Sequence, residues 1–263
     1  MVTPAAKRDA VRHAQQQHRI SQRRACWLVS LHPSVYRYSR KRSDDIAVRE
    51  RLKQLALFYA GWGYRPLGTR LREEGLKLRP KKRRKVVSVQ RVKPPETTDI
   101  NQKWSMDFIS DKLSCGRRFR ALSIIDCHSR ECLALEVDSS LTGERVVRVL
   151  ERLKEIRGLP RIIQTDNGPE FTGHKLDLWA YRNRVKLFFI EPGKPVQNAH
   201  IESFNGRLRA ECLNLEWFTS LREAQQVIES WRTCYNQVRP HSSLGSLPPQ
   251  VWLQKQRENS TTN

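Results

Sequence analysis

The chain has 263 residues, which is enough for one large domain or two smaller ones with a buried core. It contains 49 Lys and Arg residues and 27 Asp and Glu residues, so the formal net charge is +22. The excess is uneven, because residues 1–100 hold 25 basic and 8 acidic side chains and residues 101–263 hold 24 and 19. This distribution predicts a front part that binds a polyanion and a more conventional folded remainder.

The amino-acid sequence also excludes several classes of protein. The longest apolar stretch, Leu55 to Trp62, is far shorter than the roughly 20 residues that a membrane-spanning helix needs. The N-terminus lacks the apolar segment of a secretory signal. Six scattered cysteines without a C-x-x-C pair indicate reduced thiols. We therefore expect a cytoplasmic protein with no membrane partner.

Residues 1–43 predict a basic helical N-terminal region. Residues 4–20 suit a solvated helix, Ser21 can cap a short helix over Gln22–Val29, and Pro33 can start another. Two short helices around a turn are compatible with a helix-turn-helix unit and equally with an arbitrary helical hairpin.

The sequence of residues 44–78 predicts a shortened helix-turn-helix-like DNA-binding segment. One helix is expected from Asp44 to about Tyr59, and a short one from Arg65 to Glu74. The first has Ile46, Leu52, Leu55 and Tyr59 near one face.

Residues 79–100 have the composition of a basic linker. A run of like charges is usually solvated, and it can also contact phosphates as a nonspecific arm. The residues expected to do so are Lys81, Lys82, Arg83, Arg84 and Lys85.

Residues 101–255 predict an α/β core with a mixed sheet, followed by a polar tail at 256–263. Three strands form a meander, and helices and strands then alternate. Thr142 can cap the first core helix, in which Glu144 and Arg148 pair. Its predicted apolar stripe is Val146, Val149, Leu150, Leu153 and Ile156. The expected strands are 103–110, 119–126, 131–137, 161–165 and 185–190, and the expected helices 141–156, 172–183, 198–213 and 220–237.

Three acidic residues occupy informative positions in this scheme. Asp107 lies inside the first strand, on the face opposite Trp104 and Met106. Asp166 follows the fourth strand, at the carboxyl edge where α/β sheets place ligands. Glu202 lies near the start of a helix. If the first and fourth strands are neighbours, the three carboxylates converge.

Clustered carboxylates repel one another unless cations bind them, and hard oxygen ligands suit Mg²⁺ or Mn²⁺. Two such ions would activate a nucleophile and stabilise a leaving oxygen in phosphoryl transfer. Each residue alone has a plainer interpretation. Asp166-Asn-Gly168 can be turn chemistry, Glu202 a charge at a helix start, and Asp107 a solvent-facing side chain. Their combination favours the metal site.

Four motifs make the chain similar to a known family. They are Trp104-Ser-Met-Asp107, Thr165-Asp-Asn-Gly-Pro-Glu-Phe171, Asn198-Ala-His-Ile-Glu-Ser-Phe-Asn-Gly206 and Tyr235-Asn-x-x-Arg-Pro-His-x-x-Leu244. Thirty-five residues separate Asp166 from Glu202, and the basic residue Arg209 follows seven positions after Glu202. With these features the chain resembles the insertion-sequence transposases of the IS-three (IS3) family, relatives of retroviral integrases.

The resemblance implies an RNase H-like, integrase-type catalytic core. It implies that Asp107, Asp166 and Glu202 bind two Mg²⁺ or Mn²⁺ ions. The implied reactions are hydrolytic release of a 3′-OH at the element's end and attack of that hydroxyl on another phosphodiester. Arg209 is expected to contact phosphate at the transposon end.

Asn205 and Arg239 are expected either to contact DNA or to make structural hydrogen bonds. The implied partners are double-stranded DNA of the element ends and target, further copies of the chain in a synaptic complex, and an upstream helix-turn-helix polypeptide joined by frameshifting. The implied location is the bacterial nucleoid.

The family's helical segment before the basic linker is usually longer than the one between Gly61 and Gly75 here. This departure leaves two alternatives to an active transposase. One is an inactive or binding-impaired remnant, and the other is an RNase H-like nuclease that cleaves without strand transfer.

Overall fold

The computed structural model describes residues 3–38, 46–76, 97–191 and 198–261. The chain divides into two compact units, residues 1–46 and residues 47–263. Within the described ranges, none of the helices combines the length and the apolar character needed to span a lipid bilayer.

Three helices form the first unit: α1 Pro4–His18, α2 Gln22–Leu28 and α3 Pro33–Arg37. As predicted, Ser21 caps α2, because its hydroxyl oxygen accepts a hydrogen bond from the backbone N–H of Arg24 at 3.3 Å. The unit has a small apolar core made by Val11, Ala25, Cys26 and Leu31.

Helix α4, Ile46–Phe58, starts at the boundary between the units, and in the second unit it packs with α5 Tyr64–Glu73 through Leu55, Leu67 and Leu71. Ile46 was predicted on the packed face and is instead exposed, because it is the first residue of α4. Between the helices Gly61 has a φ of 82°, and a Cβ there would lie 2.8 Å from the carbonyl oxygen of Ala210. Both the backbone conformation and the close contact require glycine.

A five-stranded mixed sheet forms the centre of this unit. The chain order is β1 Lys103–Lys112, β2 Arg118–Asp126, β3 Cys132–Asp138, β4 Ile162–Thr165 and β5 Lys186–Phe189. The spatial order is β3-β2-β1-β4-β5. The first three strands form the predicted antiparallel meander, and β4 and β5 run parallel to β1.

Helices cover both faces of the sheet. Because side chains alternate along a strand, Trp104 and Met106 pack toward α6 Gly143–Arg157 and α7 His174–Asn183. Ile109 belongs to the opposite core with Phe204, which lies on α8 Ala199–Leu208, and with α9 Leu221–Gln237. The face of β1 that carries Asp107 therefore looks toward α8.

Four further details differ from the sequence prediction. Ile156 is 77% exposed although it continues the apolar stripe of α6, because helical periodicity does not reveal how far the sheet extends beneath the helix. Thr142 is the N-cap of α6, but its side chain makes no capping hydrogen bond. The predicted helix 198–213 changes to a π-helical turn at Arg209–Leu213. Residues of the predicted polar tail belong to helix α10 Pro249–Thr261.

Candidate active site

The first and fourth strands are neighbours, which was the condition for the acidic residues to converge. The parallel register pairs Lys103 with Ile162 and Ser105 with Gln164. Strand β4 ends at Thr165, so two further steps in this register place Asp107 beside Asp166.

Helix α8 reaches the same place from the other side. Its N-cap residue Asn198 accepts a hydrogen bond from the buried side chain of Gln164 at 3.3 Å, which links the start of the helix to β4. Glu202 lies in the first turn of α8. This link brings Glu202 to the end of the strand that Asp166 follows.

The Asp107 carboxylate is held by two hydrogen bonds. Its Oδ2 accepts from the Asn205 amide at 2.8 Å, and its Oδ1 accepts from the backbone N–H of Phe108 at 2.8 Å. The hydroxyl of Ser123 lies 2.9 Å from Oδ1 of Asn205 and 3.0 Å from the carbonyl oxygen of Asp107. Three residues apart on α8, Asn205 and Glu202 lie on the same side of the helix. Asn205 therefore makes structural hydrogen bonds within the site.

The three predicted carboxylates share one electrostatic site. Burial raises the pKa of Asp107 to about 6, and the negative charges of Asp166 and Glu202 add to the increase. The hydrogen bonds from Phe108 and Asn205 oppose it.

The loop after β4 orients the Asp166 side chain through a backbone hydrogen bond. The backbone N–H of Gly168 donates to Oδ1 of Asp166 at 3.0 Å, and the Asn167 amide donates to the carbonyl oxygen of Ile190 at 3.0 Å. A Cβ at position 168 would lie 3.0 Å from the same Asp166 oxygen. Glycine is needed for this close approach and not for a positive φ, which neither Asn167 nor Gly168 has.

The donor chemistry of the three carboxylates fits a divalent cation. Carboxylate oxygens are the ligands that Mg²⁺ and Mn²⁺ prefer, and a bound dication would relieve the repulsion that adds to the effect of burial on the pKa of Asp107. In the part of the chain that the structure describes, no group of three His, Cys, Asp or Glu side chains is already arranged to hold a metal ion. Both carboxylate oxygens of Asp107 accept hydrogen bonds from the protein.

The two arginines predicted to contact DNA have different surroundings. Arg209 is exposed and donates one hydrogen bond of 3.0 Å to the carbonyl oxygen of Ser110. Arg239 is buried, and its guanidinium donates to both oxygens of Glu211 at 2.6–3.0 Å. It also lies 6.0 Å from the ring centroid of Trp62. For Arg239 this arrangement favours the structural alternative.

Five further predicted DNA contacts lie outside the described residues. They are Lys81, Lys82, Arg83, Arg84 and Lys85.

Sequence reasoning missed two polar residues of β2 that contribute to the site, Ser123 and Arg120. Ser123 touches Asp107 and Asn205. Arg120 forms an ion pair with Glu170 in the loop after Asp166. The available signal was a serine within an apolar strand, because a buried polar group needs a partner.

Two families described as integrase core domains match the chain, over residues 98–195 and residues 183–249. The protein is therefore of the integrase-core class. With its five-stranded mixed sheet covered by helices on both faces, its α/β core has the RNase H-like fold.

Relatives carried by bacterial insertion elements are similar over nearly the whole chain. An uncharacterized 31.7 kDa protein of insertion element IS407 from Burkholderia multivorans is 43% identical and covers 90% of this chain and 92% of its own. An uncharacterized 39.2 kDa protein of insertion element IS476 from Xanthomonas euvesicatoria is 38% identical and covers 100% of this chain and 81% of its own.

Two more distant proteins are similar to parts of the chain. Transposase InsF of insertion sequence IS3A from Escherichia coli is 27% identical and covers 59% of this chain and 54% of its own. The HTLV-2 integrase catalytic core domain, solved in complex with magnesium in a trimeric form, is 16% identical with a TM-score of 0.44. It covers 57% of this chain and 95% of its own.

The chain belongs to the IS3 family of insertion-sequence transposases. The resemblance recognised in the sequence motifs is confirmed, and the function of the protein is DNA transposition.

Proposed function

We propose that the chain is the polynucleotidyl transferase of its element, with Asp107, Asp166 and Glu202 as its metal-binding catalytic residues. The observation that supports this proposal is the parallel pairing of β1 with β4 together with the hydrogen bond from Asn205 of α8 to Asp107, because these contacts join the three elements that carry the carboxylates. The reactions proposed are cleavage that frees a 3′-OH at the element's end and attack of that hydroxyl on a target phosphodiester.

The proposed cofactor is Mg²⁺ or Mn²⁺, two ions being held by the three carboxylates. When bound, such ions supply positive charge that stabilises the reacting phosphate and lowers the pKa of the attacking hydroxyl or water. The chain's own residues orient the ligands. Asn205 holds one oxygen of Asp107 and is itself held by Ser123, and the Gly168 N–H holds one oxygen of Asp166. Such outer partners keep carboxylate ligands in a fixed orientation.

The proposed partners are double-stranded DNA at the element ends and target, and further copies of the chain in a synaptic complex. The net charge of +22 supports salt-sensitive attraction to phosphates. Exposed Arg209 is the C-cap residue of α8, seven residues after Glu202, so we propose that it contacts the DNA backbone near the reacting end. The same role is proposed for the basic run 81–85, and a fusion to an upstream helix-turn-helix polypeptide remains part of the proposal.

A joining assay with a labelled duplex ending in the element's inverted repeat tests the proposal. The variants are Asp107→Asn, Asp166→Asn and Glu202→Gln. Asp111→Asn is the matched control, because it removes a carboxylate from the same strand, four residues along the same face.

The proposal expects Mg²⁺-dependent nicking and joining that disappear in the three variants and persist in the control. DNA binding should remain equal or become stronger, because each variant loses a negative charge. Joining by any of the three variants would overturn the assignment of that residue. Nicking by the wild-type protein without joining would instead identify a nuclease.

A further inference from the structure

The loop between β4 and α7 carries Asp166, and side chains from other strands hold it. Phe171 is fully buried and stacks on Phe108 of β1, with ring centroids 4.9 Å apart and an interplanar angle of 20°. This aromatic pair fixes the far end of the loop against the sheet. The near end begins at Asp166, so the residues between them determine how precisely that carboxylate is placed.

Arg120 of β2 provides the second attachment. Its guanidinium carbon lies 4.1 Å from the ring centroid of Phe108, and the same guanidinium forms an ion pair with Glu170 of the loop. Arg120, Phe108 and Phe171 therefore form a continuous stack, and the ion pair connects its outer member to the loop. The side chains of Arg120 and Glu170 are only 32% and 19% exposed, so water screens the pair incompletely.

Glu170 also lies close to the catalytic carboxylate. One point, the position that a Cβ on Gly168 would occupy, is 3.0 Å from Oδ1 of Asp166 and 3.4 Å from Oε2 of Glu170. Both carboxylates therefore border the space beside Gly168. Burial acts to raise the pKa of Glu170, but the hydrogen bond from Arg120, a backbone hydrogen bond and the charge of Arg120 together outweigh it, and the pKa is lowered. Glu170 is thus an ionised group whose charge is balanced by Arg120.

We propose that Arg120 and Glu170 are positioning residues that hold the loop carrying Asp166 in its catalytic place while cancelling the charge of Glu170. Neither residue touches the reacting atoms. The proposal rests on the proposed function, because it assigns importance to the position of Asp166.

The test compares Arg120→Ala, Glu170→Ala, the double variant Arg120→Ala/Glu170→Ala and Arg120→Lys in the joining assay. Arg145→Ala is the control, because Arg145 pairs with Glu136 of the same sheet and does not belong to the loop. The side chains of Arg145 and Glu136 are 34% and 18% exposed, similar to those of Arg120 and Glu170. Thermal melting and DNA affinity are measured for every variant, together with the Mg²⁺ concentration that gives half-maximal joining.

Each single alanine variant is expected to reduce the joining rate by about 10- to 100-fold and to raise the half-maximal Mg²⁺ concentration. DNA affinity should change less than the rate, because the charge of Arg120 is already paired with Glu170 and is not available as a free cation for phosphate. Since the two residues act as one unit, the double variant should be no slower than the slower single variant. Arg120→Lys should recover part of the rate, because lysine keeps the charge and loses the planar stack.

Two results would overturn the proposal. The first is a joining rate of Arg120→Ala within about twofold of Arg145→Ala. The second is an Arg120 or Glu170 variant that keeps the wild-type Mg²⁺ dependence and loses joining rate only in proportion to its loss of thermal stability. Asp166→Asn, run in parallel, separates this result from a failure of the proposed function. If Asp166→Asn still joins DNA, the catalytic assignment fails, whatever Arg120→Ala does.

Discussion

The amide of Asn205 donates a 2.8 Å hydrogen bond to Oδ2 of Asp107, connecting helix α8 to the central strand β1. The amide oxygen is in turn within 2.9 Å of the Ser123 hydroxyl on the neighbouring strand. One side chain therefore sets the orientation of a proposed metal ligand and ties together three elements of the core. Most of the expected effects of substitution follow from such contacts.

Replacing Asn205 by alanine should slow joining by about 10- to 100-fold, because the Asp107 carboxylate loses the group that orients it. Steady-state joining rates at saturating DNA measure the effect. Asn183→Ala is the control, since Asn183 caps its own helix through the carbonyl oxygen of Trp179, away from the carboxylates. Equal rates for the two variants would show that the hydrogen bond has no catalytic importance.

Gly168→Ala should lower the joining rate with little change in DNA affinity. The new methyl group would lie 3.0 Å from Oδ1 of Asp166, so either the carboxylate or the loop must shift. Gly173→Ala in the same loop would place its methyl group 3.7 Å from the carbonyl oxygen of Pro169, which is an ordinary contact, and should retain the wild-type rate. A normal rate in Gly168→Ala would mean that the loop can move without disturbing catalysis.

Arg239→Ala should destabilise the protein by about 3–5 kcal/mol, because the buried carboxylate of Glu211 would lose its partner. Urea denaturation measures this loss. Among the molecules that remain folded, the salt dependence of DNA binding should stay unchanged. Arg209→Ala is the comparison, because Arg209 is exposed and is proposed to contact phosphate. This variant should reduce the slope of log affinity against log salt by about one, with little loss of stability. The opposite pattern would make Arg239 the DNA contact.

His241 should make the folded protein less stable in acid. Burial, followed by the charges of Arg239 and Arg207, lowers its pKa to about 3, against about 6.5 in an unfolded chain. Between these values the unfolded chain binds a proton that the folded protein does not, so stability falls as pH decreases from about 6 to about 3. The expected slope from this group is about 1.4 kcal/mol per pH unit.

The slope for His241 is obtained from urea denaturation of wild type and His241→Gln between pH 7 and pH 4.5. As the pH falls, the wild type should lose more stability than His241→Gln. The surface variant His174→Gln serves as the control, and a pH-independent difference for His241→Gln would contradict the prediction.

Much of the core was predictable because local patterns determine it. Alternation in β1 correctly separated Trp104 and Met106 from Asp107, since successive side chains of a strand point to opposite faces. The helical period likewise identified the buried residues of α6 up to Leu153. It failed at Ile156, because periodicity describes one side of a helix and not the surface that covers it.

The sequence alone was sufficient to recognise the family and to predict three acidic residues as its site, because the spacing of short motifs is written in the chain. It also determined the charge that attracts DNA and the order of strands and helices. Only the tertiary structure showed that β1 and β4 are neighbours, that Arg239 faces Glu211, and that Arg120 reaches Glu170 across 50 positions. These contacts depend on how distant elements pack, which hydrophobic burial decides for the whole core and no local pattern records.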